Sequence, residues 1–171
     1  MSSSSGGTFT ITGGAGVDKL TGGAGIDNIY GMSGDDELTG GTGADNIVAG
    51  AGDDLIIISN SGDGDTDTVD GGSGSNTLQL SGGAHNFTND AKIQNIQIVT
   101  LNSSGSNVNL IGQTEGLTIK GGDGDDEIIA GSGLDNIDGG KGLDLITGSA
   151  GADTIKLGDN DSKSDVVVMG K

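Results

Sequence analysis

Residues 13–48 read GGAGVDKLT GGAGIDNIY GMSGDDELT GGTGADNIV, four consecutive nine-residue units on the frame G-G-x-G-x-D-x-U-x. The frame continues in AGAGDDLII (49–57) and returns as GGDGDDEII, AGSGLDNID, GGKGLDLIT and GSAGADTIK (121–156). Its sixth place holds Asp18, Asp27, Asp36, Asp45, Asp54, Asp126, Asp135, Asp144 and Asp153. Its eighth holds only Leu or Ile: Leu20, Ile29, Leu38, Ile47, Ile56, Ile128, Ile137, Ile146 and Ile155. The frame slips in residues 58–70 and recovers with Asp67 and Val69, and slips again before recovering with Asp165 and Val167. Asn76 then stands in a sixth place as a neutral and weaker candidate ligand.

Each unit divides in two. Glycines at the first, second and fourth places permit positive φ and close backbone approach, so the first six residues suit a tight turn. The last three, such as Lys19-Leu20-Thr21, alternate polar-apolar-polar like a short strand with one inward side chain. Two turn-plus-strand units complete one coil, strands n and n+2 stack in parallel, and Leu and Ile fill a thin interior. The predicted fold is therefore all-β, a parallel β-solenoid. Asp18, Asp36 and Asp54 then line one edge, and Asp27 and Asp45 the other.

Carboxylates stacked about 5 Å apart repel one another unless cations intervene. Two carboxylates with several turn carbonyls make an all-oxygen cage suited to Ca²⁺, which takes about 6–8 hard ligands. Zinc prefers His or Cys, and Cys is absent. The composition agrees. With 37 Gly among 171 residues, 31% hydrophobic residues, 2% aromatic residues and a net charge of −18, the chain approaches disordered compositions and needs added stabilisation. Seven Lys and Arg residues against 25 Asp and Glu argue against nucleic acid. No apolar run reaches membrane-spanning length, so membrane insertion is not expected.

This frame resembles the calcium-binding nonapeptide of the repeats-in-toxin (RTX) family, over residues 13–57 and 121–156. The resemblance implies a β-roll holding several calcium ions, in proteins that Gram-negative bacteria export by type I secretion and that fold outside the cell. The expected metal ligands are Asp18, Asp27, Asp36, Asp45, Asp54, Asp67, Asp126, Asp135, Asp144, Asp153 and Asp165.

The expected organisation is a leader and cap strand (1–12), a first roll block (13–78), an excursion loop with a short helix (79–96), calcium-free coils (97–120) and a second roll block (121–171). In the calcium-free coils Leu101, Leu110 and Ile119 continue the nine-residue grid, which puts Val99, Val108 and Leu117 in the carboxylate place. KIQNIQIVTL (92–101) resembles a segment recurring between calcium repeats in bacterial surface-layer and adhesin proteins. Asp63, Asp65 and Asp67 imitate the start of an EF-hand loop, but Thr68 and Gly74 stand where its Gly and Glu belong, so an irregular cation site or a solvated acidic loop is preferred. His85 reads as a solvent-facing loop residue, because no nucleophile elbow accompanies it. Leu55-Ile56-Ile57-Ile58 reads as apolar surface under the excursion or as a subunit contact.

These features point to a structural calcium-binding module of a secreted cell-surface protein, self-associating or contacting other surface components. The alternative is the secretion and folding tail of an exported hydrolase or toxin. Ice binding would need a regular Thr or Asn array, which Lys19, Tyr30, Glu37 and Val48 interrupt. No enzymatic activity is expected, since no acid-base pair stands outside the aspartate grid.

Overall fold

The computed structural model describes residues 6–59, 66–102, 104–158 and 165–170. The described residues are all-β, with one 3-10 turn among them at Asp90–Lys92. Its strands are β1 (Thr10–Ala15), β2 (Lys19–Ala24), β3 (Asn28–Ser33), β4 (Glu37–Thr42), β5 (Asn46–Ala51), β6 (Leu55–Ile58), β7 (Thr68–Ser73), β8 (Thr77–Leu80), β9 (Ala84–Asn86), β10 (Ile93–Gln94), β11 (Ile98–Leu101), β12 (Asn107–Asn109), β13 (Thr118–Lys120), β14 (Glu127–Ile129), β15 (Asn136–Asp138), β16 (Leu145–Thr147), β17 (Thr154–Lys156) and β18 (Val166–Val168).

Alternate strands form opposite walls, as an 18-residue coil requires. One wall is an eight-stranded sheet in the order β17-β15-β13-β11-β8-β6-β4-β2. The facing wall is built in two five-stranded sheets, β1-β3-β5-β7-β10 and β18-β16-β14-β12-β9. All strand pairs are parallel, and their registers stack the eighth-place residues in continuous rows. Leu20, Leu38, Ile56, Leu78, Val99, Ile119, Ile137 and Ile155 run along the long sheet. Ile11, Ile29, Ile47, Val69 and Ile93 face them on one half, and His85, Val108, Ile128, Ile146 and Val167 on the other. The aliphatic residues of these rows, with Phe87, Ile96 and Leu110, form one hydrophobic core, against which Ile11, Ile155 and Val167 pack partly buried. Ile47 is fully buried, so Ile47→Ala should cost about 2–5 kcal/mol in calcium-saturated urea unfolding.

Residues 79–96 join the two half-walls. β9 opens the second half-wall and β10 closes the first, with the 3-10 turn between them. Across this junction the interior widens: Ile58, Leu80 and Leu101 form a second inward row. That row also accounts for the apolar 55–58 run, of which Ile56 and Ile58 are buried in the core.

His85 departs from expectation. It occupies the inward place of β9, is 1% exposed and stacks on Phe87 with ring centroids 6.3 Å apart. Burial lowers its pKa, with the Ser81 backbone acting in the opposite direction. A base whose folded pKa is lowered binds its proton more readily in the unfolded chain, so stability is lost as pH falls below about 6.5 toward the folded value. His85→Leu should flatten that segment of the pH–stability curve in calcium-saturated thermal melts.

Candidate metal centre

Every repeat delivers its aspartate to the same point, the turn residue immediately before the strand. The turn is set by the fourth-place glycine, with φ of +114° at Gly25, +117° at Gly34, +132° at Gly43 and +145° at Gly52. Only glycine adopts such angles readily. The aspartate side chain then folds inward, and its Oδ1 accepts a hydrogen bond from the backbone N–H at the same place one coil earlier. Asp36 Oδ1 accepts from Asp18 N at 2.8 Å, Asp54 from Asp36 at 2.8 Å, Asp45 from Asp27 at 2.8 Å and Asp67 from Asp45 at 2.8 Å. In the second block Asp126 accepts from Ser106, Asp135 from Leu117, Asp144 from Asp126, Asp153 from Asp135 and Asp165 from Asp144. The two expected edges are therefore real columns, stitched by the backbone.

The second oxygen is different. Oδ2 of Asp27, Asp36, Asp54, Asp126 and Asp135 is buried and has no hydrogen-bond partner among the described residues. In the repeats whose first place is glycine, Oδ2 lies beside that residue. A Cβ placed on Gly22, Gly121 or Gly139 would stand 2.5, 2.7 and 2.5 Å from Oδ2 of Asp27, Asp126 and Asp144. The same hollow receives a carbonyl oxygen from the following coil, Gly40 facing Asp27, Ala49 facing Asp36 and Gly139 facing Asp126. A buried carboxylate oxygen and a carbonyl dipole turned to one hollow repel unless a cation lies between them.

The electrostatics follow. Burial, aided by the carboxylates of Asp144 and Asp125 and opposed by the Ser106 backbone hydrogen bond, pushes the Asp126 pKa up to about 7. Burial moves Asp54 and Asp135 in the same direction. Among the described residues no three Asp, Glu, His or Cys side chains converge on one point. The donors the turns bring to each hollow are carboxylate oxygens of the column and backbone carbonyls. That hard donor set suits calcium, which accepts carbonyls and water as readily as carboxylates.

The columns end in recognisable ways. Asn76 keeps the Oδ1 bond, accepting from Asp54 N at 3.0 Å, but its Nδ2 donates to the Asn95 carbonyl at 3.0 Å. An amide thus occupies the hollow and satisfies the facing carbonyl directly. Beyond it, Gln97 Oε1 accepts from Asn76 N at 2.7 Å. In the middle coils the carboxylate place is held by Gln97, Ser106 and Leu117. Val99 and Val108, expected there, lie two residues further on in the inward rows, because the spacing between Val108 and Ile119 stretches to eleven residues. Asp18, Asp153 and Asp165, at the ends of the columns, are half-buried, and Asp18 Oδ2 accepts from Gly14 N at 2.8 Å. Asp67 is buried; its EF-hand-like companions Asp63 and Asp65 lie outside the described residues.

Sequence reasoning overlooked a parallel outer rim. Fifth-place carboxylates make a stitch in the opposite direction, to the coil that follows: Asp35 Oδ1 accepts from Asp53 N at 2.9 Å, Asp53 from Ser75 at 2.7 Å and Asp125 from Leu143 at 2.8 Å. The doublets Asp35-Asp36, Asp53-Asp54 and Asp125-Asp126 carried that signal.

The family model described as the RTX calcium-binding nonapeptide repeat (4 copies) matches residues 10–29, 21–56, 61–84, 118–146 and 129–161. The unmatched stretch 85–117 is the part of the solenoid whose turns lack the aspartate. No curated protein matches the chain. The repeat frame, the parallel roll it builds and this match over most of its length make the chain a member of the RTX calcium-binding nonapeptide repeat family, whose repeats bind several calcium ions.

Proposed function

We propose that this calcium-binding β-roll is a structural element of an exported bacterial surface protein, folding into a rod when it meets extracellular calcium. Asp18, Asp27, Asp36, Asp45, Asp54, Asp67, Asp126, Asp135, Asp144, Asp153 and Asp165 supply the carboxylates of its metal grid, with turn carbonyls completing each cage. The supporting observation is the column of buried, unpartnered Oδ2 atoms. Burying these charges without cations opposes folding, and filling the hollows reverses the sign, so ligand binding energy becomes folding energy. Extracellular sites of this class bind at about 10⁻⁴–10⁻³ M, which keeps the chain unfolded in a calcium-poor cytosol and competent for type I export from a Gram-negative cell.

The surface-layer or adhesin setting, rather than an enzyme tail, is favoured by the metal-free coils at 97–120, which lengthen the rod without adding ions. In that setting the rod assembles with copies of itself or with other surface components. Sedimentation velocity across a CaCl₂ series tests this part: growth beyond monomer at millimolar calcium is expected, and a monomer at every calcium concentration contradicts the assembly role.

A further inference from the structure

The two glycine-rich places of the turn are constrained for different reasons. Most second-place glycines take positive φ, as at Gly41 (+109°) and Gly140 (+93°), and Met32 and Ser149 occupy that place at +84° and +60°. First-place glycines Gly13, Gly22, Gly31, Gly40, Gly121, Gly139 and Gly148 are not among the positive-φ residues. Backbone conformation therefore does not demand glycine there. The hollow does: a Cβ at each would press on the Oδ2 of the aspartate five residues later.

Two repeats carry that Cβ. Ala49 precedes Asp54 and Ala130 precedes Asp135, and both alanines are fully buried. Their aspartates keep the orientation of the others. Asp54 Oδ1 accepts from Asp36 N and Asp135 Oδ1 from Leu117 N, both at 2.8 Å, and both Oδ2 atoms are unpartnered. At these two sites the place that is glycine in the other repeats carries a buried methyl group.

Resting on the metal grid proposed above, we infer that Ala49 and Ala130 are specificity-determining residues that make the Asp54 and Asp135 sites a weaker class of calcium site, one in each block. The methyl narrows the space beside Oδ2 and turns an apolar surface toward the ion, while calcium still needs several oxygen ligands at about 2.3–2.6 Å. The remaining sites fill first and order the coil. The two alanine sites respond at higher calcium, which widens the concentration range over which the rod stiffens.

The test is equilibrium dialysis of the full chain against ⁴⁵Ca²⁺, comparing the unmodified protein with Ala49→Gly, Ala130→Gly and the double variant. Two affinity classes are expected in the unmodified chain, and each substitution should move one ion into the tight class, its Kd falling about tenfold or more. Alanine-to-glycine exchange loosens the unfolded chain and by itself weakens folding-coupled binding, so a gain in affinity is not a generic consequence of glycine. Isotherms unchanged or weakened in the variants overturn the inference while leaving the grid intact. No calcium uptake by the unmodified chain overturns the grid itself.

Discussion

Gly43→Ala should destabilise the calcium-saturated roll by about 3 kcal/mol or more, whereas Gly14→Ala should change it by less than about 0.5 kcal/mol. Gly43 stands at the fourth place of its turn with φ of +132°, far beyond the left-handed well near +57° that other residues can occupy. A Cβ there would overlap the Gly25 carbonyl of the coil below. Both the chain conformation and the spacing between coils would have to change, and the turn that aims Asp45 would open with them. Gly14 has no positive φ, and a Cβ on it would find Asp18 Oδ2 at 3.9 Å, an ordinary contact. Urea unfolding in saturating calcium measures both, and equal effects from the two variants would contradict this account of the turn.

Asp126→Ala and Asp126→Asn should diverge sharply. Alanine removes the acceptor that holds the Ser106 N–H at 2.6 Å in a buried position, at a cost of about 1–3 kcal/mol, and it also removes the metal ligand. Asparagine keeps that acceptor and places an amide in the hollow opposite the Gly139 carbonyl, as Asn76 does opposite Asn95. In chelator, Asp126→Asn should therefore be more readily folded than the unmodified chain, because it exchanges a buried carboxylate for a donor. In calcium it should bind at least one ion fewer. The pH dependence agrees in sign: with Asp126 raised to about 7 in the metal-free roll, the folded state binds the extra proton, so metal-free stability from this group falls as pH rises from about 4 to 7. Identical behaviour of the two variants in chelator would contradict the role given to the hollow.

Much of this was readable in the chain. Period nine with one inward aliphatic residue leaves few alternatives to a two-walled parallel solenoid, and the aspartate columns follow from an 18-residue coil. What was not readable depends on spacing at the irregular coils. Between residues 79 and 119 neighbouring inward residues are separated by unequal steps, so extrapolating the grid put Val99 and Val108 two places away from where pairing with Leu78 and Ile128 sets them. His85 lacked any aliphatic signature, yet the strand pairing of β9 with β12 fixes it in the core row. The backbone stitching of each carboxylate was also hidden, because the sequence does not show which backbone N–H groups take up Oδ1.

The central claim is that cations in the aspartate hollows hold the coil together. Far-UV circular dichroism of chelator-stripped protein titrated with CaCl₂, with MgCl₂ as control, tests it most directly. The account predicts a disordered spectrum that converts cooperatively to β-structure with calcium and fails to do so with magnesium at equal concentration. A stripped chain that is already β-structured, with a melting temperature that calcium leaves unchanged, would contradict it.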